Sequence, residues 1–234
     1  MSALHILRYF IKYYLFKPWK YKEFCLWIRS LSAGASPLSL RLPWINFSAI
    51  NFLVHELSSA RLKVFEFGSG GSTLFFLRNN CDLWSVEHDS QWLDKVLVLV
   101  KDNGYVHRWI HFLAEPEAAK NILDYADPAS CTSICSGELN GLSFNRYVNA
   151  VSTFQDHFFD LILIDGRARR SCIWYAAKKV KIGGIIMLDN SERPYYLQGP
   201  IELLSGFRLI HKSEGLCPCL LSEATQAIAW KRIS

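Results

Sequence analysis

Residues 62–89 read L-K-V-F-E-F-G-S-G-G-S-T-L-F-F-L-R-N-N-C-D-L-W-S-V-E-H-D, from Leu62 to Asp89, and this stretch decides the fold. Val64, Phe65 and Phe67 suit a buried strand, and Gly68, Gly70 and Gly71 end it in a turn where backbone passes close to a neighbour. Ser72 is the expected N-cap of the next helix, with Leu74, Phe75 and Leu77 as its apolar face and Asn79-Asn80 as its stop. A second strand, Leu83 to Val86, then delivers Glu87.

An acid about 20 residues past the first glycine of a β-α-β unit lies where a ribose diol bound over the glycine turn would sit. Two cofactor classes use this layout. A dinucleotide site wants G-x-G-x-x-G, so that a pyrophosphate rests on the helix N-terminus, and Thr73 at the third glycine position weakens that reading. Glu66-Phe67-Gly68-Ser69-Gly70-Gly71-Ser72 resembles instead the first motif, acid-x-G-x-G-x-G, of the class I S-adenosylmethionine-dependent methyltransferases, departing from it at Ser72. That resemblance implies Glu66, Gly68 and Gly70 around the methionine part of the cofactor and Glu87 on its ribose. The full cofactor-binding set it suggests is Glu66, Gly68, Ser69, Gly70, Ser72, Glu87, His88 and Asp165.

Further along, F-D-L-I-L-I-D-G (Phe159–Gly166) is a nearly unbroken apolar run ending in an acid and a glycine, as a buried parallel strand does. A helix with Ile173, Ala176, Ala177 and Val180 on one face leads to Lys181-Ile182-Gly183-Gly184 and a strand, Ile185 to Leu188, ending Asp189-Asn190. This succession is similar to the fourth and fifth strands of the same class, so the resemblance spans about residues 62–190. In an open parallel sheet, ligands bind at the carboxyl ends of the strands, where Glu66, Glu87, Asp165 and Asp189 are all expected. Burying so many carboxylates without cations or donors would be very costly, which marks that edge as a site.

Asp165, Asp189 and Asn190 also look like the divalent-metal triad of the catechol and caffeoyl-CoA O-methyltransferases, where oxygen ligands hold a magnesium-type cation. Those enzymes place a lysine base shortly after the first acid, whereas this chain has Gly166, Arg167, Ala168, Arg169 and Arg170, and arginine is no base at neutral pH. Without a metal, Asp165 faces the cofactor or orients the acceptor, and the planar fork of Arg167 binds a carboxylate or phosphate on it. Arg169 and Arg170 read as solvated helix surface. The expected catalytic residues are Asp165, His88 and Asp189, His88 for its near-neutral pKa. The expected acceptor contacts are Arg167, Asn190 and Tyr195, and by position alone Ala114 and Glu115 approach the adenine.

Elsewhere the chain is less specific. Residues 1–30 hold six basic residues against Glu23 alone, leaving twenty of each sign in the rest, so the domain offers no charge-based case for nucleic acid. Leu7, Phe10, Ile11 and Tyr14, then Phe24, Trp27, Ile28 and Leu31, predict two helices broken at Pro18. Lysines interrupt them too often for a membrane span. They read as a cap on the domain, with peripheral contact to a membrane through residues 1–30 as the alternative. Ser32 to Pro37 reads as a linker, Ser48 as the N-cap of a helix through Leu57, and Trp44 as a core anchor. Residues 116–143 suggest a lid or binding insert. Seven cysteines, an odd count, do not make a disulfide framework and fit a reducing, cytoplasmic setting; Cys131/Cys135 and Cys217/Cys219 lack the usual zinc spacing.

The expected architecture is an α/β, Rossmann-like, seven-stranded and mostly parallel sheet with helices on both faces. An N-terminal basic aromatic helical segment, residues 1–36, precedes a methyltransferase domain, residues 37–234. The expected reaction is methyl transfer from S-adenosylmethionine to an oxygen, less readily a nitrogen, of a small-molecule or glycan acceptor. The rivals are an NAD-type oxidoreductase on the same sheet and a non-catalytic membrane-peripheral protein with a degenerate pocket.

Overall fold

The buried apolar runs assemble into a seven-stranded sheet in the computed structural model, which describes residues 3–57, 60–119, 124–125, 127–133, 137–199, 204–221 and 224–234. In chain order the strands are β1 (Lys63–Phe67), β2 (Asp82–Glu87), β3 (Trp109–Leu113), β4 (Glu117–Ala118), β5 (Leu142–Ser143), β6 (Phe159–Ile164), β7 (Val180–Asp189), β8 (Phe207–Leu216) and β9 (Ala224–Arg232). The sheet order is β3-β2-β1-β6-β7-β9-β8, while β4 and β5 pair separately as a short antiparallel ribbon within the expected insert. β9 runs antiparallel to both β7 and β8, and the pairs among β1, β2, β3, β6 and β7 are parallel. The last two strands thus form the expected hairpin, with β9 slotted inside the edge.

The helices are α1 (Ala3–Tyr13), α2 (Tyr21–Ser30), α3 (Pro37–Leu40), α4 (Phe47–Glu56), α5 (Gly71–Arg78), α6 (Ser90–Asp102), α7 (Asn145–Asn149) and α8 (Arg169–Ala176). Period-two alternation divides the core between the faces of the sheet. Val64, Leu161 and Leu163 pack with α4, α5 and α6 through Leu53, Leu74 and Val96. Phe65, Phe67, Ile162 and Ile164 pack on the other side with Tyr147 and Ile173. Tyr14 and Trp27 of the N-terminal segment belong to the first cluster. The Trp27 indole donates to the Leu220 carbonyl at 2.9 Å, and Glu23 accepts from Ser48 Oγ at 3.0 Å and Asn51 Nδ2 at 3.1 Å. No helix among the described residues is long and apolar enough to cross a membrane.

Several expected caps shift by a residue or two. Asn46 rather than Ser48 caps α4, its Oδ1 accepting from Ala49 N at 3.0 Å, and Asp89 rather than Ser90 caps α6, accepting from Trp92 N at 2.9 Å. Ser72 lies inside α5, and the expected linker ends in a capping box between Ser36 and Ser39 that starts α3. One consequence positions the site: β2 and β6 flank β1 on opposite sides, so the chain leaves the end of β1 one way and that of β6 the other. The crevice at their carboxyl ends is a topological switch point.

Candidate functional site

Gly68 sits at φ +95°, a conformation that side chains resist, and a Cβ there would lie 3.1 Å from the Gly166 Cα. The turns after β1 and β6 therefore touch. Beneath them runs a hydrogen-bonded chain in which Gly70 N donates to Thr73 Oγ1 at 2.9 Å and Thr73 Oγ1 donates to Glu66 Oε1. Ser85 Oγ donates to the same oxygen at 2.6 Å and itself accepts from Trp109 Nε1 at 2.7 Å. Glu66 is fully buried with Oε2 unpartnered, and burial pushes its pKa up to about 7 against the pull of Ser85, Thr73 and Ser72. It supports the turn from below and does not line the cavity, contrary to the expected cofactor contact, because its β1 position points it under the loop.

Close packing also marks the N-terminus of α5. A Cβ on Gly71 would lie 2.1 Å from the Leu42 carbonyl and 2.4 Å from that of Pro37, so the backbone around α3 presses carbonyl oxygens onto the helix start. The Gly70 N–H is already held by Thr73, and Gly70, Gly71 and Ser72 line the cavity, so the helix start faces the space a ligand would fill.

Glu87, at the tip of β2, is almost wholly buried yet borders the cavity. Its Oε2 accepts from Ser69 N at 2.9 Å and Ser69 Oγ at 3.2 Å, and its Oε1 from His88 N at 2.7 Å and Asp89 N at 3.0 Å. Burial opposes its charge, but the His88 side chain and these backbone donors prevail and hold its pKa below the usual carboxylate range. His88 Nδ1 lies 2.6 Å from Glu87 Oε1, which places the ring proton there, and Nε2 accepts from Arg167 Nε at 3.4 Å. Both ring nitrogens are engaged, so His88 is built as a link between Glu87 and Arg167. Trp92, in the first turn of α6, donates from Nε1 to the Ser69 carbonyl at 2.7 Å and lays its ring beside Gly70.

The opposite wall comes from β6 and β7. Ala168 is held at φ +46° and Asn190 at φ +53°, sharp turns that send the chain back across the strand ends. The first of these drives Arg169 inward. Its Nη2 donates to Asp165 Oδ1 at 3.1 Å and the Asp165 carbonyl at 3.0 Å, its Nη1 to the Asp189 carbonyl at 2.6 Å, and its Nε to the Gly166 carbonyl at 3.0 Å. Asp189 Oδ2 lies 3.6 Å from Nη1, while Asp189 Oδ1 is buried without a partner. Burial pushes Asp165 up to about 6 against the pull of Arg169, and burial with the neighbouring Asp165 pushes Asp189 well above its ordinary value. One arginine for two buried carboxyls leaves the charge of the pair only partly offset.

Two expectations are overturned here. Arg169 and Arg170 are buried rather than solvated, Arg170 donating to the Tyr195 carbonyl at 2.6 Å, to the Tyr125 carbonyl and to Gln198 Oε1 at 3.3 Å. The metal reading of Asp165, Asp189 and Asn190 fails for the same reason: a guanidinium already occupies the space between the two carboxyls. Among the described residues no group of three or more His, Cys, Asp or Glu is placed to hold a metal. Cys135 lies outside the described residues, and Cys217 Sγ instead meets Thr225 Oγ1 at 2.9 Å.

Between the walls lies a cavity of about 650 Å³, a size suited to a nucleoside-type ligand with room for an acceptor. Of the expected residues, Gly68, Ser69, Gly70, Ser72, Glu87, His88, Asp165, Arg167, Asp189 and Asn190 line it. Tyr195 does not: it stacks edge-on with Tyr196 beside a separate, water-sized hollow. Ala114 and Glu115 also fall outside, Ala114 N donating to the Glu87 carbonyl at 2.8 Å. Trp92, Arg169, Leu38 and Leu220, which the sequence reading missed, also line it, joined by Arg193 and by Leu139 of the expected insert, with Trp44 half-exposed at the rim instead of in the core.

No family model matches the sequence, and no curated protein matches it. Solved structures do resemble it. TrmN from Thermus thermophilus aligns with a TM-score of 0.50 at 14% identity over 79% of this chain, which spans only 48% of that protein. A protein from Corynebacterium glutamicum gives a TM-score of 0.58 at 10% identity, covering 92% of this chain and 97% of its own. A candidate O-methyltransferase from Klebsiella pneumoniae gives 0.54 at 14% identity, covering 100% of this chain and 97% of its own. Strand order, crevice and structural neighbours agree that the chain has the fold of the class I S-adenosylmethionine-dependent methyltransferases.

Proposed function

We propose that the chain is an S-adenosylmethionine-dependent methyltransferase acting on an oxygen, less readily a nitrogen, of a small-molecule or glycan acceptor. The observation that carries this reading is the cavity at the switch point, bordered by the glycine turn after β1 and by an anchored Glu87 at the tip of β2. That combination fits a nucleoside with a ribose diol, and Thr73 at the third glycine position counts against the oxidoreductase rival. The residues present fit such a cofactor: Gly68 and Gly70 leave room for close approach, Glu87 would hold its ribose, and Trp92 offers an aromatic surface beside them.

When bound, S-adenosylmethionine supplies an electrophilic methyl group on a sulfonium, so the protein chiefly aligns the acceptor and excludes water. Asp189 is the residue placed to take the acceptor's proton, since its buried Oδ1 is unpartnered and its side chain borders the cavity. Asp165 and Arg169 position it. His88 holds Glu87 and Arg167 rather than serving as base, and Arg167, with Arg193 nearby, presents cationic groups to an acidic or hydroxylated acceptor.

Transfer of a labelled methyl group from S-adenosylmethionine into low-molecular-weight extract fractions tests the reading. The wild-type chain is expected to label a product, and Asp189→Asn to lower the rate about 10²–10⁴-fold with S-adenosylhomocysteine affinity unchanged. Equal labelling by Asp189→Asn would remove Asp189 as the proton acceptor, and label found only in RNA would overturn the acceptor class.

A further inference from the structure

We infer that the outer face of the α1–α2 hairpin docks on an anionic lipid surface beside the cavity mouth, an inference that does not rest on the methyl-transfer reading. The inward face of α1 is accounted for by ring contacts: Tyr9 meets Trp27 at 5.7 Å, Phe10 meets Phe24 at 5.1 Å, and Tyr14 meets Phe24 at 5.3 Å. The outward face is apolar as well. Leu7 and Ile11 are about half exposed, Leu15 is exposed, and Phe16 is 83% exposed. Leu7 and Ile11 lie about one turn apart on the same side of α1, and Leu15 and Phe16 follow in the turn just past its end.

Charge selects the occupant. Arg8 and Lys12 sit one residue on from Leu7 and Ile11, so a basic stripe runs beside the apolar one, and Lys17, Lys22 and Arg29 extend it as exposed residues. The segment's acid, Glu23, is buried and spent on Ser48 and Asn51. Glu214 lies within electrostatic reach of Lys12 and Glu23 lies 3.9 Å from Lys20, but Arg8, Lys17, Lys22 and Arg29 keep the face in basic excess. An apolar ridge flanked by that excess fits acyl chains and anionic headgroups together, while a second copy of the same basic face would repel it. The hairpin adjoins the site through α2: Trp27 holds the Leu220 carbonyl and Ser30 Oγ accepts from Cys219 N at 3.0 Å, and Leu220 lines the cavity. Docking this face would bring the mouth to the bilayer, where an amphiphilic acceptor would be met.

Sedimentation of the full chain with phosphatidylcholine vesicles, plain or carrying about 30% phosphatidylserine, tests the inference. The chain is expected to pellet with the anionic vesicles, to be released by high salt, and to stay in solution with the plain ones. Ile11→Glu with Phe16→Glu, both on the exposed face, should cut the bound fraction at least about tenfold, and Lys17→Glu with Lys22→Glu should do the same. Unchanged S-adenosylhomocysteine affinity in both variants would show that the cavity is intact, separating this outcome from the fate of the proposed activity. Wild-type chain that ignores anionic vesicles, binds plain ones equally, or keeps its binding in the variants would overturn the inference. So would a dimer that the Ile11/Phe16 variant dissolves while no vesicle binds.

Discussion

The two walls of the cavity satisfy their carboxylates in opposite ways. Glu87, on the β2 wall, is held by backbone N–H groups and the His88 ring, and its pKa is depressed. Asp165 and Asp189, on the β6–β7 wall, share one guanidinium, have raised pKa values, and leave an oxygen unpartnered. Backbone donors are fixed by the fold and make a rigid, permanently charged acceptor suited to recognition. A crowded carboxyl pair exchanges a proton easily and suits chemistry.

Removing the arginine should break the contrast most violently. Arg169→Leu leaves two buried carboxyls without a cation and is expected to cost about 3–5 kcal/mol in chemical denaturation. Adding Asp189→Asn removes one of the stranded carboxylates and should return about half of that loss, whereas an additive pair would show that Arg169 does not bridge the two acids.

Backbone contact between the walls comes next. A Cβ on Gly166 would sit 2.0 Å from the Tyr147 hydroxyl and 2.8 Å from the Phe67 carbonyl, so Gly166→Ala should destabilise by about 3 kcal/mol. Gly70→Ala meets only Trp92 at 3.6 Å, and its melting temperature should stay within about 2 °C of wild type. Equal losses at the two positions would mean the walls do not touch as described.

Glu66, under the β1 turn, behaves like the opposite wall without facing the cavity. Its folded pKa of about 7 lies above the ordinary 4.5 of a glutamate, so the folded state keeps a proton that the unfolded chain releases. Its contribution to stability is full below the unfolded pKa and is lost as pH rises through about 7, a loss of about 2–3 kcal/mol. Denaturation at pH 5 and pH 8 should show that loss in the wild-type chain and a flatter profile in Glu66→Gln. Glu87 has the reverse sign: its depressed pKa contributes stability above the unfolded value that disappears as acid titrates the folded group. The smallest effect is expected for Glu87→Ala on cofactor affinity, a weakening of about 1–3 kcal/mol in S-adenosylhomocysteine binding, and unchanged affinity would remove Glu87 from recognition.

The β1–β2 wall was the legible one because its signals are local. A strand, a glycine turn and an acid at the next strand tip follow one another within a few dozen residues, and six expected residues of this wall, Gly68, Ser69, Gly70, Ser72, Glu87 and His88, reach the cavity. The β6–β7 wall was legible in its strands and acids but not in its arginines. An arginine at a helix start looks the same in sequence whether it meets water or, as Arg169 does, turns inward after the left-handed Ala168. Glu66 was misplaced because motif position does not say whether a side chain lies above or below the loop. Leu220, Trp44 and Leu139 reach the rim through distant folding contacts that no spacing rule carries.

Calorimetric titration of S-adenosylhomocysteine and, separately, of NAD into the wild-type chain tests the central claim most directly. Saturable binding of the first at one site per chain, with no heat from the second, is the predicted result. Binding of NAD alone would contradict it and return the cavity to a dinucleotide.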